Sequence, residues 1–157
     1  MMNLSSFADQ YGEHVCFVTA DQHVHQLYYN GASRFDGVSW ADQDLTAMAN
    51  GSAAVGSALS SFADQYGEHV CFVTADQHVH QLYYNGANWA DQDLTAIAIR
   101  EYIDLPLAGR GTGLSSFADR HGEHVCFLKS IEGGIHQLLF DGANWADWDL
   151  TYASEHG

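Results

Sequence analysis

Positive charge is scarce in this chain: 5 of its 157 residues are Lys or Arg against 20 Asp and Glu, for a formal net charge of -15. A nucleic-acid binder needs a clustered basic surface to neutralise phosphates, and five scattered cations do not supply one. Neither nucleic acid nor an anionic membrane is expected as a partner, and the carboxylates read as a solvated surface. Long apolar runs are also missing. No stretch approaches the roughly 20 residues that span a bilayer, so no membrane insertion is expected. Met1–Ser6 lacks a basic segment followed by an apolar one, which implies no signal peptide and a location in the cytoplasm or a non-classical route of secretion. Proline occurs once, at Pro106, and no segment shows a convincing helical period.

What the chain does have is repetition. The segment Leu4–Ala32 recurs unchanged as Leu59–Ala87, and a drifted third copy starts at Leu114. Each copy closes on Trp-Ala-Asp-x-Asp-Leu-Thr, at Trp40–Thr46, Trp89–Thr95 and Trp145–Thr151. The first copy carries extra residues at Ser33–Ser39, which belong in a loop. Cys16, Cys71 and Cys126 fall at the same place in each copy, inside an apolar run. Equivalent positions in neighbouring units lie too far apart for a disulfide, which needs Cα atoms within about 7 Å, so free buried thiols are expected.

Within a copy the pattern reads as four short strands: near Leu59–Ala63, then His69–Thr74, His78–Tyr84 and Trp89–Thr95. Asn85-Gly86 between the last two is a hairpin signal, since both residue types tolerate positive φ. The middle strands have no clean polar face. From His78 to Tyr84, one side shows His80, Leu82 and Tyr84, and the other shows Val79, Gln81 and Tyr83. Sheets covered on both sides are what a β-propeller requires of its blades. The fold class is therefore all-β, a propeller with three four-stranded blades per chain, at 4–58, 59–113 and 114–157. Three blades do not close a ring of the usual 4 to 8, so closure by a second copy is expected: a homodimer with six blades.

The run from a strand through aromatic-aromatic-(Asn/Asp)-Gly to a Trp resembles the blade repeat of the fucose-binding propeller lectins of the Aleuria type. It stands here as Tyr84-Asn85-Gly86-Ala87-Asn88-Trp89, with counterparts at Tyr29–Gly31 leading to Trp40 and Phe140–Gly142 leading to Trp145. The resemblance implies a multivalent carbohydrate-binding lectin with glycan partners and sugar sites between adjacent blades. The family's Glu position falls on Gln26, Gln81 and Gln137. Its aromatic positions fall on Tyr29, Tyr84 and Phe140 and on Trp40, Trp89 and Trp145. Its Arg position falls near Val15, Val70 and Val125, which departs from the pattern and implies weaker binding or another sugar, with several equivalent sites supplying avidity.

Other constellations carry less. His23 and His25, like His78 and His80, project to one face of a strand at a spacing that suits a transition metal, but no third ligand is evident, and they read as ordinary polar positions. The Glu-His pairs at Glu13-His14, Glu68-His69 and Glu123-His124 follow a Gly and read as turn residues. The carboxylate pairs Asp42/Asp44, Asp91/Asp93 and Asp147/Asp149 share a strand face beside each Trp, and calcium remains open for them. A constellation present in every repeat speaks against a single catalytic centre, so no enzyme and no cofactor is expected. The alternative to a lectin is a propeller scaffold or protein-interaction ring without a small ligand, the two unchanged copies reflecting recent duplication or construction.

Overall fold

A computed structural model of the protein describes residues 3–29, 40–56, 58–100, 104–130 and 133–157. They form three antiparallel four-stranded sheets, each a simple meander. Blade 1 holds β1 (Leu4–Asp9), β2 (Gly12–Val18), β3 (Val24–Tyr29) and β4 (Trp40–Asp44). Blade 2 holds β5 (Leu59–Asp64), β6 (Gly67–Val73), β7 (Val79–Tyr84) and β8 (Trp89–Asp93). Blade 3 holds β9 (Ser115–Asp119), β10 (Gly122–Leu128), β11 (Ile135–Phe140) and β12 (Trp145–Asp149). The first strands β1, β5 and β9 lie side by side. Their serines allow the close approach: the Ser5 and Ser61 hydroxyls meet at 2.7 Å and those of Ser60 and Ser116 at 2.6 Å.

The absence of a polar face on the middle strands has a direct structural cause. On β6, Val70 and Phe72 pack with Cys16, Val24 and Leu45 of blade 1 and its following helix, while Cys71 and Val73 pack with Val125, Phe127 and Leu138 of blade 3. Side chains alternate across a strand, so each blade contributes one apolar face to each neighbour. The hydrophobic core is thus two slabs between blades rather than a single centre. Fully burying a side chain such as Phe72 is worth about 1.5–3 kcal/mol.

The repeat signature decodes residue by residue. Trp89 is 6% exposed and packs toward blade 1. Asp93 caps a helix, its Oδ1 accepting from Ala96 N at 2.9 Å, and Leu94 is fully buried. Thr95 Oγ1 accepts from Val79 N at 2.9 Å, satisfying a strand donor that would otherwise be unpaired. The sequence pattern continues the fourth strand through Leu-Thr without a helix; the structure instead places α1 (Leu45–Ala49), α2 (Leu94–Ile97) and α3 (Leu150–His156) there. Helices this short offer too few positions for an amphipathic period, and their signal is the Asp at the N-cap.

The turns also differ in detail from expectation. Of Asn85-Gly86 only Gly86 adopts positive φ, at 92°. Asn85 acts through its side chain, Oδ1 accepting from the Ala87 and Asn88 amides at 3.0 Å each, which makes a four-residue loop. Cys16 and Cys71 are free and buried, as expected, and burial pushes both thiols up to about 12. Cys126 is free but only half-buried, because it lies on the face of blade 3 that has no following blade in the chain. The insertion at 33–39 lies outside the described residues. No helix among the described residues is long and apolar enough to cross a membrane.

Candidate functional site

The Glu-His pairs sit within β2, β6 and β10 rather than in turns. His69 is buried, with its Nε2 2.9 Å from Asp64 Oδ1, and the same oxygen accepts from the Tyr66 and Gly67 amides at 2.8 and 3.2 Å. Burial works to raise the Asp64 carboxyl, but the bonds from His69 and the two amides together hold it below its ordinary range. Glu68 and Glu123 reach across to the preceding blade. Gln26 Nε2 donates to Glu68 Oε2 at 3.0 Å, and Gln81 Nε2 to Glu123 Oε2 at 3.1 Å. Burial pushes both glutamates above their ordinary value. The offset between the partners is 42 residues, so no local pattern in the sequence reveals the pairing.

The expected sugar residues occupy two environments. Gln26 and Gln81 have no exposed surface; besides the glutamates, their Oε1 atoms accept from Gln43 at 2.6 Å and Gln92 at 2.7 Å. Gln137 is half-buried, and its Nε2 lies 3.4 Å from Cys126 Sγ. Trp89 and Trp145 are each 6% exposed, while Trp40, on the open face of blade 1, is 43% exposed. Each Trp ring leans on the aromatic opposite it in register: Tyr29 at 6.0 Å, Tyr84 at 5.5 Å and Phe140 at 5.4 Å between ring centroids. Tyr29, Tyr84 and Phe140 are half-buried and stay partly open to solvent.

A cleft of about 570 Å³ opens between blades 1 and 2, at the end where β1 turns into β2 and β7 into β8. Tyr11, Tyr66 and Tyr84 wall it, and Asp9, Asp64, Glu68 and Asn85 supply polar atoms. Aromatic faces beside fixed acceptors suit a polyhydroxylated ligand with one apolar face. At the next junction Tyr66 stands edge-on to Phe140, with ring centroids 6.0 Å apart.

The other end of the same strands gathers the His and Asp pairs. His25 stands opposite Asp44 in the β3–β4 register, and His80 opposite Asp93 in β7–β8. His23 Nδ1 lies 2.7 Å and His25 Nε2 3.6 Å from Asp44 Oδ2; in blade 2, His78 Nδ1 and His80 Nε2 lie 2.6 and 3.6 Å from Asp93 Oδ2. Behind them, His25 Nδ1 is 3.0 Å from Asp42 Oδ1 and His80 Nδ1 2.9 Å from Asp91 Oδ1. The hydrogen bond to Asp44 raises the His23 imidazole above its ordinary value. A third potential donor beside each histidine pair is therefore the second Asp of the facing strand, Asp44 or Asp93. Blade 3 keeps His136, Asp147 and Asp149 but has Gly134 where the first His stands.

No protein-family model and no curated protein matches the chain. Solved structures do. A fucose lectin from Kordia zhangzhouensis, in complex with methyl-fucoside, superposes with a TM-score of 0.56 at 14% identity, covering 95% of this chain and 99% of that one. Two structures of Aleuria aurantia lectin, a mutant with α-methyl-L-fucoside and one described as a six-bladed β-propeller, give TM-scores of 0.59 and 0.57 at 17% identity. The fold is that of the fucose-lectin propellers. This chain spans 47% of the length of each Aleuria lectin chain, the share that three blades of six would occupy. The neighbours named here are lectins and not enzymes.

Proposed function

We propose that the protein is a multivalent carbohydrate-binding lectin that takes fucose-like sugars in clefts between adjacent blades, and that two copies complete its ring. The observation that carries this reading is the three-tyrosine cleft, placed between blades of a fold shared with lectins that were solved with fucosides. A pyranose sets its C–H face against a ring and offers its hydroxyls to Asp9, Asp64 and Asn85. Within the expected set, Tyr29, Tyr84 and Phe140 face the ligand, Trp40, Trp89 and Trp145 set the tilt of those rings, and Gln26, Gln81 and Gln137 hold the next blade in place. The chain acts by binding, without turnover.

Ring closure is supported by the two open faces. Blade 1 exposes Leu4 and Trp40, and blade 3 exposes Leu128, Ile135 and Trp148. His14 Nδ1 and His69 Nδ1 each have a Glu of the next blade, at 3.6 and 3.5 Å. The Nδ1 atoms of all three histidines are buried without a hydrogen-bond partner, and among the described residues that of His124 also lacks such a carboxylate. Glu13 of the partner subunit is the residue that would meet it, as Glu68 and Glu123 meet the earlier histidines.

A glycan array probed with purified protein and challenged with free fucose tests the lectin reading. Competed binding is expected, and Tyr84→Ala should weaken it roughly tenfold through loss of the ring face. A blank array from a folded protein would overturn it and favour a scaffold ring. Light scattering tests closure, with twice 17.3 kDa the expected mass and a monomer the outcome that rejects it.

A further inference from the structure

The His and Asp groups at the outer corners of blades 1 and 2 are not used by the lectin reading. They lie at the start of β3 and β7, whereas the cleft aromatics lie at the ends of those strands. His25 and Tyr29, like His80 and Tyr84, lie four positions apart along the strand, about 13 Å of backbone. One potential donor atom from each of His23, His25 and Asp44 comes within 4.8 Å of the others, and the same holds for His78, His80 and Asp93.

We propose that each of these two corners binds a divalent first-row transition-metal cation, Zn²⁺ being the best fit, through two imidazoles and one carboxylate, with a fourth position left open to solvent. The division of labour within each Asp makes this possible. Asp44 Oδ1 is committed to capping α1, accepting from Ala47 N at 2.9 Å, which leaves Oδ2 turned toward both histidines. The Asp42 carboxylate fixes the second ring: accepting from His25 Nδ1–H, it leaves the lone pair of Nε2 directed at Asp44 Oδ2, 3.6 Å away. Two acceptors facing each other at that distance attract a cation, and a carboxylate behind a metal-binding imidazole is the usual support that sets its tautomer.

The distances suit zinc. Bonds of about 2.0–2.1 Å in a tetrahedron set ligand atoms roughly 3.4 Å apart. The 3.6 Å spacing meets this, and the 2.7 Å contact of His23 Nδ1 with Asp44 Oδ2 must open by rotation of an imidazole whose side chain is 33% exposed. That exposure also gives the ion a way in. The two buried clusters elsewhere, Asp9-His14-Glu68 and Asp64-His69-Glu123, offer one imidazole each, already tied to Asp9 or Asp64 in the hairpin turns.

Blade 3 supplies a control built into the chain. It holds the second imidazole, the supporting carboxylate and the capping carboxylate, and lacks only the first imidazole, at Gly134. A Cβ there would meet Thr151 Oγ1 at 3.7 Å and Asp149 Oδ1 at 3.8 Å, ordinary contacts that leave room for a side chain.

Titration of the full-length, metal-stripped protein with zinc chloride, followed by calorimetry and by the rise in melting temperature, tests the proposal. Two equivalents per chain are expected. The double variant His23→Asn and His78→Asn keeps a donor to each Asp but offers no ring lone pair; it should melt near the parent in chelator and lose both equivalents. Gly134→His should add a third. Unchanged stoichiometry in the double variant, or no zinc binding by the parent at large excess, overturns the proposal. Sugar binding on the array is read separately and is expected to survive both variants, so failure here does not touch the lectin reading.

Discussion

Blades 1 and 2 share one sequence from Leu4 to Ala32 and from Leu59 to Ala87, yet they stand in different surroundings. Their strand pairing is the same residue for residue: Leu4 faces Phe17 as Leu59 faces Phe72. Their burial is not. Leu4 is 70% exposed and Leu59 7%; Trp40 is 43% exposed and Trp89 6%. Local sequence therefore dictates hydrogen bonding and register, whereas burial is conferred by the neighbouring blade. A sequence apolar on both faces is consistent only where both faces are covered, which makes the outer faces of blades 1 and 3 the incomplete parts of this chain.

The strongest way to test that contrast is to cut the same ring from both blades. Phe72→Ala should cost about 3–5 kcal/mol in urea unfolding, because Phe72 is fully enclosed between blades 1 and 2. Phe17→Ala, at the matching half-buried position, should approach that loss at high protein concentration and fall below about 1 kcal/mol on dilution, if a second copy covers it. A small loss independent of concentration would mean that blade 1 keeps an uncovered face.

A smaller effect is expected at the strand-start threonines. Thr95→Val leaves the buried Val79 amide without an acceptor and should cost about 1–3 kcal/mol. Thr151→Val removes the same bond from Ile135 N, at 2.8 Å, but Ile135 is 47% exposed and water can replace the hydroxyl. Its cost should stay below about 1 kcal/mol by the same denaturation assay. Equal losses would show that the end of blade 3 is covered in solution.

The smallest effect concerns pH. Burial holds the Glu123 carboxyl above its ordinary 4.5, so folding favours the protonated form. That contribution to stability is complete below pH 4.5 and is lost as pH rises through the raised value. Asp64 is the opposite case: held below 3.8, it contributes above that pH and its contribution is lost as pH falls further. Melting temperature measured across acid to neutral pH should therefore decline on the neutral side, and Glu123→Gln should flatten the decline and gain a few degrees at neutral pH. An unchanged slope would place the responsible group elsewhere.

Much of the architecture was legible in the sequence because it is periodic. The repeat, the four strands and the two-faced apolar pattern all follow from counting residues. What escaped was whatever depends on contact between elements. The glutamates read as turn residues because their partners, Gln26 and Gln81, lie 42 positions away in another blade. The third donor beside the histidine pairs escaped because it depends on the loop between β7 and β8, whose four residues set His80 against Asp93. The helices escaped because four to seven residues, two turns at most, carry too little period. Of the expected sugar residues, sequence placed the aromatics at a blade junction but could not distinguish Tyr84, at the mouth of a cleft, from Gln81, enclosed behind it.

The bonds from Gln26 to Glu68 and from Gln81 to Glu123 both run the same way, with the donor on the earlier blade and the acceptor on the later one. The chain consequently has a polarity, like an arrow, running from the blade of Gln26 toward that of Glu123. A circular permutant opening at Leu59 and finishing with the present first blade would keep that polarity and present an equivalent pair of faces.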